Sequence, residues 1–491
     1  MAGEYASIIV SIDEVIAETF SKTVMETAPR IDGIWKRMVR TSRGVSRSDG
    51  PLGRDYKIKH IVKTGMSGAA RWRSTALGPT TSNVEAHTPQ VRVWSAGTTF
   101  PSVGDAASPG YHHTYLQMAM LDGTILMPPE LTRADRLDAT LVTLVKDIMG
   151  GSARNVSNLK AITWYNKTTD GSSKAIAKVS SDTTPSGTNT RTVSVTDARL
   201  AHLYIGQMVD VLDASASFAK LNTASNWVIT NVDRVAKTIT IGSVDSTVTH
   251  LATVTTDDLI VVAGSHPGTG SASAPAAGYG ADGLFTWIAT SGNVFNLSTT
   301  TVPWLKSKSI ALSAVLTDAV LMEQIEEFFD ERGTDLVNLD TLLTTRMARV
   351  AYLENVDGQG IYQRQGQALM VRPGWKMDDV FVNDAMTLDW LTSRYMQSGV
   401  AVVLKTKEGN LKEYHPPKRP GVGSEQGFDD DIEFVAPAMG STRIWMPTRN
   451  TSNAKVTDMA EAPFVAMLQW GAKQPQSIEF TSVTEASPAS S

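Results

Sequence analysis

The residue types that usually carry catalysis are present but spaced badly for it. The eight histidines are scattered, and only His112 and His113 are adjacent. Neighbours on a strand point to opposite faces, so the pair is a poor clamp for one metal. Asp429, Asp430 and Asp431 lack EF-hand spacing and read as a solvated acidic loop. Glu326 and Glu327 are consecutive on a helical pattern and do not face each other, so they are no acid–base pair. Gly65-Met66-Ser67-Gly68 fails the spacing of a nucleophile elbow. No H-E-x-x-H and no phosphate-cradling G-x-x-x-x-G-K-[ST] occurs. Gly268 and Gly270 follow a strand pattern but lack a third glycine and a helix. There is no cysteine, which removes disulfides, thiolate zinc, iron–sulfur clusters and a thiol nucleophile together. The expectation is a non-enzyme with no catalytic residue, no cofactor and no metal.

The chemistry that remains is charge. The chain has 491 residues, 42% hydrophobic and 19% charged, with a formal net charge of -5. That composition is of a folded protein large enough for several domains, and not of a general nucleic-acid coat. The charge is uneven. Arg30 to Arg73 holds twelve Lys/Arg against three Asp/Glu, a local +9, which leaves -14 on the rest. The bland reading is a solvated loop. The functional one is attraction to acidic surfaces of the same or another copy, or to nucleic acid. No apolar run approaches the ~18–20 residues of a membrane span, so no membrane partner is expected. The opening MAGEYASIIVSIDE puts acids ahead of a short apolar run, unlike a secretory signal.

The elements that must carry these charges follow from periodicity. Ser11 and Glu14 form a capping box, and Ile12, Val15, Ile16, Phe20 and Val24 continue at helical spacing to Pro29. Thr41–Gly110 is glycine-punctuated, with alternating runs at Asp55–Val62 and Gln90–Trp94. This predicts a long two-stranded excursion that cannot stand alone and must lie on another surface. Leu137, Leu141, Leu144, Val145 and Ile148 predict a helix over 132–149, closed by Gly150 and Gly151. From Lys167 to Gly270 there are 30 Ser/Thr in 104 residues and no Glu. Strands are predicted at Thr192–Thr196, Gln207–Leu212, Trp227–Val232, Thr238–Ile241 and Leu259–Val262, forming a small barrel or sandwich between linkers. Further on, a helix is predicted over 314–329, a strand at Val380–Val382, a helix through Met386, Trp390, Leu391 and Tyr395, and a strand at Val400–Leu404. Ile444–Met446 and Phe464–Trp470 are late strands, and Thr481–Ser491 reads as a disordered tail. Trp164, Trp227, Trp287, Trp304, Trp390, Trp445 and Trp470 sit among apolar residues, as core or subunit contacts.

This order resembles the major capsid proteins of tailed bacteriophages, the Hong Kong ninety-seven fold also used by encapsulin shells. Asp378–Lys407 (DDVFVNDAMTLDWLTSRYMQSGVAVVLKTK) looks like that family's strand–helix–strand. Arg191–Val262 looks like the insertion domains of some phage coats. The resemblance implies an α+β phage capsid fold. It divides the chain into an N-terminal arm (1–40), an extended loop (41–115), a spine helix and peripheral domain (116–166), and an inserted β-barrel-like domain (167–270). An axial domain with connecting elements (271–440), peripheral return strands (441–480) and the tail (481–491) complete it. The implied function is a structural major coat protein of a virion. It would self-assemble as hexamers and pentamers into an icosahedral shell around double-stranded DNA, after assembly in the host cytoplasm. Implied partners are further copies of itself and portal, scaffolding and decoration or cement proteins. Candidate contacts between subunits are Arg47, Arg54 and Lys57 against Glu323, Glu326 and Glu327. Candidate DNA-facing residues are Arg30, Lys36, Arg37 and Arg40, through unspecific phosphate contacts. Some family members crosslink a loop lysine to an asparagine, but Lys57, Lys59 and Lys63 pair with no identifiable asparagine. The competing readings are an encapsulin-like compartment shell, a trimeric tail or adhesion protein that binds glycans through the β insert, and a hydrolase of unfamiliar type.

Overall fold

The computed structural model describes residues 32–47, 56–63, 111–127, 139–166, 175–182, 190–195, 202–215, 218–221, 227–234, 236–243, 254–265, 281–300, 302, 305–332, 339–358, 379–383, 386–416, 432–434, 446–449 and 456–486. The fold is α+β, with sheets predominating over three long helices among those residues. The predicted terminal helix and the run Gln90–Trp94 lie outside the described residues.

One sheet is organised on a single 17-residue strand, β23 (Val456–Ala472). Along its length it pairs antiparallel with β22 (Met446–Arg449), β5 (Ala119–Met127), β21 (Ile432–Phe434) and β20 (Leu411–Tyr414). The short β1 (Val39–Thr41) adds parallel to β20. A second, mixed sheet runs β15 (Lys308–Ala311), β24 (Ser477–Thr481), β19 (Ala401–Leu404), β16 (Thr341–Thr344), β18 (Met386–Thr392), β17 (Asp379–Asn383). Its burial follows strand parity. Leu342, Ala401, Val403, Ile478 and Phe480 face α2 (Asp318–Arg332) and α3 (Arg346–Gly358), where Leu321, Ile325, Phe328 and Tyr352 are buried. Leu343, Val402 and Leu404 turn the other way, into the largest core. A small hairpin of β13 (Asn293–Val294) and β14 (Leu297–Ser298) edges that core.

The Thr-rich stretch is a closed barrel. Strands β10 (Trp227–Asp233), β11 (Thr238–Ser243), β7 (Thr190–Val195), β6 (Ala177–Asp182), β12 (Leu259–Val262) and β8 (Met208–Asp213) pair in that order, and β8 pairs back to β10. Closure of that kind removes the open sheet edge. The two-residue β9 (Ala219–Lys220) lies outside the ring on β8. Val193, Val209, Val211, Trp227, Ile229, Ile239 and Ile241 belong to the large core, while Leu212, Leu259 and Val261 form a separate small cluster with Ala175. Arg191 is buried inside this domain on Asp182 at 2.7 Å. The five expected strands are all present, and β6 and β9 are additional.

Three expectations need correction. The helix expected to end at Gly150 and Gly151 runs through both, as α1 (Ala139–Trp164). A helical glycine costs only about 1 kcal/mol, and the helix beyond them is held by buried Ala153, Val156, Ala161, Ile162 and Trp164. The helix expected through Met386–Tyr395 is strand β18, followed by a turn. MTLDWLT alternates, and Leu388 and Trp390 are buried on one face. The order there is strand–strand–strand. The tail expected to be disordered is packed through Ala486. Val483 is buried, and Glu485 accepts from Thr345 Oγ1 at 2.6 Å, Ser398 Oγ at 2.7 Å and the Gly399 amide at 2.9 Å.

Candidate subunit-contact surfaces

The excursion predicted from alternation begins with β3 (Tyr56–Lys63), flanked by β2 (Val45–Arg47) and β4 (Tyr111–Gln117). Its long antiparallel partner is β4, which starts at Tyr111, while the expected run Gln90–Trp94 lies outside the described residues. The period of two divides β3 by chemistry. Ile58, His60 and Val62 are wholly buried, with Leu116 and Thr114 of β4 beside them. Lys57, Lys59 and Ile61 are exposed on the other face, and Lys59 lies opposite Tyr115, which is 61% exposed. Here an apolar residue and an aromatic ring lie exposed among lysines.

The inner face is pinned by a polar group. His60 Nε2 lies 2.9 Å from the Ala472 carbonyl, which can only accept, so Nε2 carries the proton. Nδ1 therefore accepts from the Tyr414 hydroxyl at 2.8 Å. The Phe295 ring meets the imidazole edge-on at 4.9 Å. Burial pushes the imidazole down, the Ala472 carbonyl pulls it back and Lys412 pushes it down further, to about 4. Gly471 must be bare here, because a Cβ would sit 2.8 Å from the ring.

A strap of residues 32–41 crosses both sheets. Asp32 accepts from the Ile34 amide at 3.0 Å and from Ser393 Oγ, and so caps the 3-10 turn Gly33–Lys36. Trp35 stacks at 6.0 Å from Trp164 and 5.7 Å from Trp470, and Trp164 at 4.9 Å from Trp287. Beside this aromatic cluster lies a buried ion pair, Lys160 Nζ to Glu413 Oε1 at 2.8 Å. Burial alone would raise the Glu413 carboxyl, but Lys160, Arg40 and the Trp470 indole hold it at about 2.

The sequence-predicted contact residues divide by place. Lys57 is exposed on β3, and Arg47 ends β2. Arg54 lies outside the described residues. Glu323, Glu326 and Glu327 are exposed along α2 with Asp330, Glu331 and the 42%-exposed Met322. Glu327 pairs with Lys308 of its own chain at 2.6 Å. Of the DNA-facing candidates, Arg30 lies outside the described residues and Lys36 is exposed. Arg37 is half-buried, bonded to Thr341 Oγ1 at 2.8 Å, Thr406 Oγ1 at 3.0 Å and Asp389 at 2.8 Å. Arg40 lies 3.4 Å from Glu413. His60 is not among the sequence candidates, although its parity with Ile58 and Val62 marks it as inward. Lys160 and Glu413 carry no sequence signal, being 253 residues apart. Among the described residues no group of three His, Cys, Asp or Glu could hold a metal, and no helix is long and apolar enough to cross a membrane.

No family model and no curated protein matches the chain. Among solved structures, it is similar to the capsid asymmetric unit of cyanophage A-1(L), at 9% identity, over 94% of this chain and 93% of that one, with a TM-score of 0.38. It is similar to the procapsid of satellite phage P4 at 11% identity, over 94% and 90%, with a TM-score of 0.31. Similarity to the SrpI encapsulin of Synechococcus elongatus, at 10% identity, covers 37% of this chain and 56% of that one, with a TM-score of 0.21.

Proposed function

We propose that this chain is the major coat protein of a tailed phage. It self-assembles as hexamers and pentamers into an icosahedral shell around double-stranded DNA, in contact with portal, scaffolding and decoration or cement proteins. The supporting observation is the outer face of β2–β3–β4, where Lys57, Lys59, Ile61 and Tyr115 are exposed together. Cations around an apolar centre suit a partner with the opposite charge and its own apolar centre. The α2 face of a second copy has that character, with Met322 among Glu323, Glu326 and Glu327. Closed symmetry repeats such a contact many times, so each one can be weak. DNA-facing charge falls to Lys36 and Arg30, since Arg37 and Arg40 are engaged by their own chain.

The barrel, on this reading, braces the subunit rather than displaying a ligand. His202 Nε2 donates to the Tyr395 carbonyl at 2.6 Å, and the Tyr395 hydroxyl donates to Asn158 Oδ1 of α1 at 2.6 Å. The test of the coat reading is reversal of Arg47, Arg54 and Lys57 to Glu. Electron microscopy should show no shells, while the unfolding temperature of the subunit stays unchanged. Normal shells from that variant would refute the contact.

A further inference from the structure

We infer that His60 is an acid-sensitive latch: proton uptake by its buried imidazole releases the β2–β3–β4 sheet from the sheet of β20 and β23 while the rest of the chain stays folded. This goes beyond the coat reading and holds whether or not the chain forms shells.

Polar groups joining the two sheets are few, while Val45 and Met118 pack on Met467 and β4 runs through Met118 into β5. Among the described residues no ladder runs between them. The inner face of β3 offers Ile58 and Val62 as apolar contacts and His60 as its polar one. Further ties are the Lys63 amide to the Lys473 carbonyl at 2.8 Å, Thr114 Oγ1 to the Phe295 carbonyl and Asn296 Nδ2 to the Tyr115 carbonyl at 2.9 Å. The imidazole therefore sits at the centre of the attachment, fully enclosed.

Its surroundings suit the neutral ring alone. From β20 it meets Tyr414, and beyond it Lys412, whose amino group lies 5.9 Å over the Tyr414 ring. From β23 it meets Gly471 and the Ala472 carbonyl, with Lys473 just past the strand. From β4 it meets Thr114, its register partner, and from the β13–β14 turn it meets Phe295. Lys57, Lys59 and Lys63 of its own strand point away, as does Glu413, which faces Lys160 and Trp470. Among the described residues, the groups shown acting on the ring are thus a phenol, a carbonyl and the Lys412 cation, with no carboxylate. A charged ring would donate from both nitrogens, so Tyr414 would lose the acceptor it donates to. The imidazolium would also be desolvated beside Lys412. Release into water removes both penalties. The ring's acidity agrees, lowered from 6.5 to about 4 in place.

The chain contains no cysteine, so one introduced thiol is a specific reporter. Val62→Cys would place it on the buried inner face, and Val403→Cys in the second sheet as a control. Labelling with 4,4′-dithiodipyridine, which stays reactive in mild acid, reads opening at each site. Between pH 7 and pH 4 the opening equilibrium in Val62→Cys should rise on the order of a hundredfold, from the difference in acidity between the free and enclosed rings. The thiol of Val403→Cys should stay protected, and adding His60→Gln should flatten the rise in Val62→Cys. In the unsubstituted chain, amide exchange corrected for intrinsic rate should accelerate over 56–63 but not over 401–404, which covers the case of a variant that does not fold. Equal opening in both thiol variants, no rise in Val62→Cys, or a rise that survives His60→Gln would each overturn the latch.

Discussion

A buried charge is stable only in company, and Glu413 shows how much of this fold rests on one such group. Its carboxylate is 4% exposed and is held by Lys160 at 2.8 Å, Arg40 at 3.4 Å and the Trp470 indole at 3.3 Å. Removing Lys160 would leave the buried charge only the partly exposed Arg40, at 3.4 Å, and the Trp470 indole. Lys160→Met should lower unfolding stability by up to about 3–5 kcal/mol in urea titrations, the cost of breaking a buried ion pair, reduced by what Arg40 retains. Pairing it with Glu413→Gln should recover most of that loss, because the stranded charge is then gone. The same group sets an acid limit. Its acidity is about 2 in the fold against 4.5 unperturbed. A lowered carboxylate contributes fully above 4.5 and loses that contribution as pH falls toward 2. Roughly 3 kcal/mol should disappear across that window, and in Glu413→Gln the slope of stability against pH there should be shallower. Neither partner could be paired from sequence, because 253 residues separate them and only the fold brings α1 against β20. His60 differs: in KIKHIVK its position fixes its face.

Elements are legible in the sequence where one face is buried and one is wet. The barrel strands and β3 follow that alternation, and the structure gives them nearly the expected bounds. β18 is ambiguous because Met386, Trp390, Leu391 and Tyr395 also fit a helical spacing. The choice is made by tertiary partners, with Thr341–Thr344 alongside as a parallel neighbour and Asp389 held by Arg37 and Lys407, each at 2.8 Å. The end of α1 is illegible because two glycines signal a stop only where nothing else holds the helix. The tail is illegible from composition, since Ser, Thr and Ala say nothing of the single Glu485 that ties it down. That tie gives a sharp prediction. Truncation after Ala486 keeps buried Val483 and all three bonds of Glu485 and serves as the reference. Truncation after Thr481 removes buried Val483 and the three bonds of Glu485, and should lower stability by about 2–4 kcal/mol. Equal midpoints for the two truncations would mean that 482–486 contribute nothing. Gly471 marks a second fixed point: Gly471→Ala drives a methyl into the His60 ring, and should cost about 1–3 kcal/mol by calorimetry.

At the scale of the whole molecule, the question is whether the barrel is an appendage or a member of the core. Its interior residues and the aromatic cluster around Trp164 belong to one continuous buried set, which also takes in Leu203, Tyr395 and Met396. The junction is polar as well as apolar: His202 bonds the Tyr395 carbonyl, and Tyr395 reaches back to Asn158 on α1. A barrel joined only by linkers would leave the remaining chain indifferent to its loss. A barrel joined as this one is would, when removed, expose Tyr395 and Met396 to water, at roughly 1.5–3 kcal/mol for each large side chain uncovered. Replacing residues 167–270 by a short Gly/Ser linker should therefore lower the unfolding temperature of the remainder, seen as a shifted calorimetric transition, before any question of assembly arises. His202→Ala in the full chain should move the same transition in the same direction by a smaller amount, since it removes one buried hydrogen bond and leaves the apolar contact. An unchanged transition in the deletion would make the barrel an independent module, and its exposed Ile205 and Met208 would then be the place to look for a ligand.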